Sequence, residues 1–494
     1  MQRTSERIPP FPSRLSAFLL LLAVAILFPA CGSEKETDQV ALSNKLVPPG
    51  TYPSPQGTDT ELGLAGYAKV FCSAIFVSGR DPEEAMKNSG FFFLPEEDRG
   101  HVRYFIDREK KTVELTLGDT LSRKAKYFGS QGCILLSNED KIFFEPVPVE
   151  TRLPNASTQP WPMGDALEYE GLPSEIDSTV LAEAVETAFS PPEALTAAFL
   201  VVYKGKIIAE RYAPGINKDT QLESWSMGKS LTATLVGLLI QKGYLNLDEP
   251  APVPAWQKPG DPRAKIRIRD LMQMSSGLKF TSHHDPELAQ YTEYLDHFYV
   301  YTGAVNVFEY SYDRPLQFPV GTEGRYRNCD PLTLGYIIQQ TVQAKGKNYL
   351  TFPQEALFDK IGIRKQVMET DPYGNFLLTG YDYGTARNWA RLAMLHLQDG
   401  VWEGERLLPK AWADFVSTPA PAWKEPIYGG LFWLNKTGEI PLPKDMYYMA
   451  GGGGQRTFIV PSRDLIIVRL GHFRGNEVGM KSLDLACEKL MKAF

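Results

Sequence analysis

Ser226 and Lys229 stand three residues apart at the head of a long apolar segment, residues 231–242, which stops at Gly243. On a helix, positions i and i+3 share one face, so the lysine amine lies one turn above the hydroxyl. The positive helix end favours a developing alkoxide, and a buried lysine gives up its proton near neutral pH. These are the parts of an activated serine nucleophile. A second Ser-x-x-Lys, Ser276 to Lys279, follows a short helix at 268–274 inside a Ser-Ser-Gly turn. There a solvated or capping serine is the expectation.

Tyr326 and Asn328 form a second candidate pair, in Tyr326-Arg327-Asn328 ahead of an apolar helix at 332–341. A tyrosine can act as general base where neighbouring cations pull its pKa down from about 10. An asparagine amide both donates and accepts, so Asn328 can hold Lys229 and a substrate carbonyl together. Another Tyr-x-Asn, Tyr373-Gly374-Asn375, falls in a Pro-Gly turn with no helix after it and reads as loop. The third candidate is Gly451-Gly452-Gly453-Gly454-Gln455, running into a strand at 457–460. Consecutive glycines at a strand's start suit close approach of a ligand or another backbone. Their bare N–H groups can supply half of an oxyanion hole, with the Ser226 N–H as the other half.

Taken in order, Ser-x-x-Lys, Tyr-x-Asn and the glycine-rich strand make residues 176–494 resemble the β-lactamase-related serine hydrolases. That family includes class C β-lactamases, D-alanyl-D-alanine carboxypeptidases, esterases and 6-aminohexanoate-dimer hydrolases. The segment 266–278, ending Ser276-Gly277-Leu278, is similar to the family's helix and Ser-Gly-Leu turn. Thr385-Ala386-Arg387-Asn388 is similar to its Ser/Thr-Ala-Arg-Asp helix start. The resemblance implies Ser226 as acylated nucleophile, Lys229 as proton acceptor, and Tyr326 as base in acylation and activator of water in deacylation. It further implies that the Ser226 and Gly452 backbones stabilise the oxyanion, that Asn328, Gly451 and Gln455 border the substrate, and that no cofactor or metal takes part. One departure is evident: where lactamases and peptidases carry a cation, this chain has Met449-Ala450-Gly451. That cation recognises a substrate carboxylate. Its absence points to a small ester or amide instead, and leaves β-lactamase or carboxypeptidase action as the alternative. Arg456 and Arg325 are the candidates to replace it.

Two rival readings come from other classes. Ser224-Trp225-Ser226-Met227-Gly228 is one glycine short of a nucleophile elbow, and His472 follows a late strand as a triad histidine would. An inactive ligand-binding module of the cell envelope is the non-enzymatic rival, since fold does not fix function.

The N-terminus reads as an export segment. Arg3, Arg7 and Arg14 precede an apolar run at 15–28, followed by Pro29-Ala30-Cys31. The charged head, short apolar stretch and small residue before the cut suit a signal peptide. Residues 27–31 are similar to a bacterial lipobox, which implies lipidation at Cys31, a membrane anchor and a periplasmic or outer-membrane location. An exported chain permits a disulfide between Cys72 and Cys133, both in apolar stretches that read as strands. Cys329 and Cys487 read as small buried hydrophobes in helices, and no Cys/His spacing suggests a metal site. The chain has 494 residues, 22% of them charged, with net charge −7, which gives no reason to expect nucleic acid as a partner.

The expected organisation is a signal segment at 1–31, a flexible tether at 32–65, a small accessory domain at 66–146, a Pro-rich linker at 147–175 and the hydrolase domain at 176–494. Within the accessory domain, apolar runs at 70–77, 91–94, 101–106, 113–117 and 133–136 read as mostly strands around one helix at 82–88. The hydrolase domain reads as α+β. Its strands at 198–203, 206–212, 455–460 and 464–470 form one antiparallel sheet built from both ends of the domain and flanked by the terminal helices 176–189 and 478–494. A mainly helical lobe, about 226–400, lies beside it.

Overall fold

Strand Thr196–Tyr203 (β5) carries the sequence TAAFLVVY and is buried along its whole length, because both faces of its sheet are covered. Side chains alternate across a strand. Phe199, Val201 and Tyr203 join one core, and Ala198, Leu200 and Val202 join another. The computed structural model describes residues 52–494 apart from 138 and 168–170; the expected signal segment and Cys31 lie outside the described residues.

In chain order, helices α1 (Asp59–Phe76) and α2 (Pro82–Asn88) come first, then a four-stranded antiparallel sheet, β1 (Val102–Asp107), β2 (Thr112–Leu117), β3 (Leu121–Tyr127) and β4 (Cys133–Leu135). Helix α3 (Ser178–Ala188) leads into β5 and β6 (Lys206–Tyr212), then β7 (Leu222–Glu223) and α4 (Gly228–Gln241). After α5 (Cys329–Ala344) come β8 (Val367–Met368), β9 (Asp382–Gly384), α6 (Ala386–Leu397) and the small hairpin β10 (Val401–Trp402) and β11 (Glu405–Arg406). The chain closes with β12 (Trp433–Leu434), β13 (Tyr447–Gly451), β14 (Gln455–Val460), β15 (Leu465–Gly471) and α7 (Asn476–Leu490).

The principal sheet runs β12-β13-β14-β15-β5-β6 and is antiparallel throughout. Strands from the two ends of the domain meet where Ile467 pairs with Val201. Leu181 and Ala184 of α3 and Leu483 and Cys487 of α7 pack on one face with Phe199 and Ile467. The other face joins the large core around α4, which is buried nearly all round and therefore runs through the middle of the lobe. An antiparallel sheet of this order excludes the doubly wound sheet an α/β-hydrolase requires. His472 packs near Glu84, 3.8 Å away.

The N-terminal region differs from expectation in two elements. The run at 91–94, expected as a strand, lies in a 3-10 turn, Gly90–Phe93. Residues 70–77, expected as a strand, belong to helix α1, and so does Cys72. The β-branched and aromatic run is short. The preceding residues 59–69 extend it with helical periodicity, and a Thr58/Glu61 capping box starts the helix inside the expected tether. The small face of α1 then seats a tight turn, Gly90–Phe93: a Cβ at Gly63 would lie 2.5 Å from the Phe93 carbonyl oxygen. Cys72 and Cys133 are joined by a disulfide, Cα to Cα 6.0 Å, which ties α1 to β4. Cys329 and Cys487 are buried in α5 and α7 as free thiols. Among the described residues, no helix is long and apolar enough to cross a membrane.

Candidate active site

Ser226 sits in a single 3-10 turn, Trp225–Met227, that feeds straight into α4. The turn is strained: Trp225, a bulky residue, has φ of 46°. Lys229 follows one turn later, with Nζ 3.0 Å from Ser226 Oγ and 3.2 Å from the Thr379 carbonyl oxygen. The side chain is 1% exposed. Burial pushes its pKa well below the ordinary lysine value, against the opposing pull of Asp382. A neutral amine has one lone pair. It can donate to Thr379 while accepting the Ser226 proton, as a general base must.

Tyr326 precedes α5 and closes the site from the other side. Lys229 Nζ lies 4.8 Å from its ring centroid, and its hydroxyl is within hydrogen-bonding reach of Ser226 and Trp433. The expectation of a phenol made acidic by cations is not met. Burial raises its pKa, and the hydrogen bonds from Ser226 and Trp433 and the charge of Arg456 do not overcome that. Desolvation of a phenolate outweighs a partly shielded cation. Tyr326 therefore stays protonated at neutral pH and suits proton relay better than resident base.

Asn328 is fully buried but does not bridge to Lys229. Its Nδ2 donates to the His297 carbonyl (2.9 Å) and to the Tyr301 hydroxyl (3.0 Å), and its Oδ1 has no partner. Tyr301 donates in turn to the Thr379 carbonyl oxygen that Lys229 also touches. Asn328 thus positions Lys229 at second hand. Gln455 departs further from expectation. It is buried, and its amide is spent on the Gly471 backbone, donating at 2.6 Å and accepting at 2.8 Å. It faces the neighbouring strand, and no part of it is free for substrate.

The glycines do what their spacing suggests. A Cβ at Gly451 would fall 2.0 Å from the Ser224 carbonyl oxygen, so only glycine lets β13 lie against the turn that carries Ser226. Gly452 follows against Trp225, where a Cβ would lie 3.6 Å from the indole Cγ. Gly453 and Gly454 have φ of 77° and 75°. The following turn is pinned by Arg469, which donates to the Gly453, Gly454 and Ala194 carbonyls. Burial lowers the Arg469 pKa to about 9. Nothing local in the sequence marks that arginine out.

Of the two substitute cations, Arg325 is taken by Glu287 and Glu323. Arg456 donates to the Gly451 and Gln455 carbonyls and acts electrostatically on Tyr326. Its Nε has no partner. The second Ser-x-x-Lys is structural: Ser276 is buried and donates to Asp330 at 2.5 Å, while Lys279 is exposed. Tyr373-Gly374-Asn375 is a turn organised by Asp371.

Several neighbours of the site were invisible in sequence. His283 and His284 lie 4.8 and 6.1 Å from His297, ring to ring, and His284 lies 5.0 Å from Tyr326. Among the described residues no group of three or more His, Cys, Asp or Glu is arranged to hold a metal ion. Asp382 lies buried beneath the turn that carries Ser226, with Oδ2 packed on Gly228 and without a hydrogen-bond partner. Burial raises its pKa to about 8, against the opposing pull of Lys229.

Comparison with known proteins agrees with this fold. Among curated proteins, the 6-aminohexanoate-dimer hydrolase of Paenarthrobacter ureafaciens is 24% identical over 296 residues, covering 56% of this chain and 73% of the relative. Two solved structures share the fold. A Bacillus anthracis protein assigned as a 6-aminohexanoate-dimer hydrolase has a TM-score of 0.50 at 20% identity, covering 61% of this chain and 79% of the other. A penicillin-binding protein homologue from Caulobacter crescentus has a TM-score of 0.51 at 15% identity, covering 66% of this chain and 100% of the other. The family model described as Beta-lactamase matches residues 185–485, more than half of the chain and all the candidate catalytic residues. The chain belongs to the beta-lactamase family of serine hydrolases.

Proposed function

We propose that the protein hydrolyses a small ester or amide through an acyl-enzyme on Ser226. The observation that carries this reading is the buried Lys229, its pKa pushed well below the ordinary lysine value by burial, with Nζ 3.0 Å from the Ser226 hydroxyl. In acylation Lys229 takes the Ser226 proton as Oγ bonds to the carbonyl carbon. The oxyanion is held by the Ser226 and Gly452 N–H groups. The bond to the leaving group breaks as a proton returns to it through Tyr326. Water then attacks the ester, its proton passing by the same route, and Ser226 is restored. No cofactor enters.

The missing cation at Met449-Ala450-Gly451 and the name of the curated relative both favour the ester and amide branch. Arg456, with its unpartnered Nε, favours the alternative of a β-lactamase or carboxypeptidase that recognises a carboxylate. Turnover of p-nitrophenyl acetate and butyrate, beside nitrocefin and a Ser226→Ala control, separates the two. Ester hydrolysis that disappears in the control, with little nitrocefin turnover, is expected. Efficient nitrocefin hydrolysis that falls on replacing Arg456 would return the protein to the lactamases, and silence on all three would favour an inactive binding module.

Export and lipidation at Cys31 belong to the same proposal, supported by the charged and apolar head of the chain. The protein should fractionate with membranes and be released by Cys31→Ser. Equal release of both forms would refute the anchor.

A further inference from the structure

The N-terminal region lies outside the residues that the family model matches, yet it touches the residue next to the nucleophile. Phe92 stacks on Phe473 with ring centroids 3.8 Å apart and on Phe93 at 4.3 Å. The three rings form a pile with Phe92 in the middle. Trp225 meets it edge-on, 5.3 Å from Phe92, 5.8 Å from Phe473 and 6.3 Å from Phe93. The pile is rigidly held. A Cβ at Gly66 of α1 would come within 2.8 Å of the Phe93 ring, so the helix packs on it without slack. Phe92 and Phe473 are only partly buried, and both rings lie against Trp225, the residue before Ser226.

The two sides of Ser226 are distinct. Tyr326 packs with His284, Tyr428 and Trp433, and in the mechanism proposed above it is the group that hands a proton to the departing atom. The leaving group therefore belongs on that side. The acyl group belongs on the other, toward Trp225 and the aromatic pile.

We propose that the turn Gly90–Phe93 closes the acyl side of the cleft, with Phe92 as the residue that limits the enzyme to short acyl groups. This rests on the acyl-enzyme reading and adds to it a substrate class, acetyl to butyryl esters or amides. It also gives the N-terminal region a role: the enzyme's acyl-length filter is supplied from outside the hydrolase fold. A tightly stacked ring beside a nucleophile cannot move aside for a longer chain without breaking its contacts with Phe473 and Phe93.

The test compares p-nitrophenyl acetate and p-nitrophenyl octanoate, which share a leaving group, on the full chain with Phe92→Ala and the milder Phe92→Leu. The filter predicts that the octanoate-to-acetate ratio of kcat/KM rises at least about tenfold in Phe92→Ala and less in Phe92→Leu, since each newly accommodated methylene adds binding. A ratio that stays put in both variants, whether or not the absolute rates fall, overturns the filter and leaves Phe92 a packing residue. So does a lowered ratio, which would make the pile a binding wall for long chains. A fluorophosphonate label on wild-type Ser226 keeps the underlying reading separate: its absence, with no ester turnover, refutes the acyl-enzyme, whereas label with an unmoved ratio refutes the filter alone.

Discussion

Replacing Lys229 with methionine is expected to lower kcat/KM for p-nitrophenyl acetate by roughly 10²–10⁴-fold, the range typical of a lost general base. Methionine keeps the length of the side chain and is at home in a buried site, so the loss should come without unfolding. The sign of the pH dependence follows from burial. Lys229 is deprotonated in the folded protein at pH values where an unfolded lysine is charged. The unfolded state then binds more protons, so stability rises with pH from the lowered folded pKa up to the ordinary lysine range near 10.4. Lys229→Met should flatten that slope and melt at or above the wild-type temperature at neutral pH. Wild-type kcat/KM should climb with pH and level off well below 10.4. Full activity in Lys229→Met, or a profile that rises only above the ordinary lysine pKa, would contradict the role.

The largest stability effect is expected at Lys69. Its ammonium, 1% exposed on α1, pairs with Glu369, 0% exposed in the hydrolase lobe, and lies 4.4 Å from the Tyr381 ring centroid. Ser73 donates to the same carboxylate at 2.8 Å and the Cys133 N–H at 2.6 Å, beside the disulfide. Burial pushes the Lys69 pKa down and the Glu369 pKa up, and each charge supports the other. Removing one partner strands the other in a place with no water. Lys69→Met should therefore cost about 3–5 kcal/mol of unfolding free energy, while Lys69→Met with Glu369→Leu should recover most of it. Denaturant titration of the two single variants and the double variant measures this. A single variant that loses less than about 1 kcal/mol would show that the pair does not hold the N-terminal region in place.

How much of this could be read from sequence depended on range. The Ser226–Lys229 pair is one helical turn, so spacing alone places it, and the glycine run at 451–454 announces a close approach that Gly451 makes against Ser224. The strands of the principal sheet also announce themselves by composition. Lys69 and Glu369 are 300 residues apart, and nothing in either neighbourhood signals the other. The same holds for Phe92 and Trp225, or for His297 joining His283 and His284 beside Tyr326. Residues 70–77 misled because a β-branched run is ambiguous without its flanks. Gln455 misled because its place after the glycines says nothing about the Gly471 backbone that consumes its amide. The direction of the Tyr326 pKa was a contest between burial and a cation, and only the packed site decides such a contest.

The central claim is a covalent one, and mass spectrometry tests it most directly. The purified chain is mixed with excess p-nitrophenyl acetate, stopped in acid within the first turnovers, digested and mapped, with Ser226→Ala beside it. An acetyl group on the peptide that carries Ser226, absent from the Ser226→Ala protein and lost with time in the unquenched wild type, is the predicted result. Ester turnover with no acyl group ever found on Ser226, or turnover undiminished in Ser226→Ala, would contradict the account.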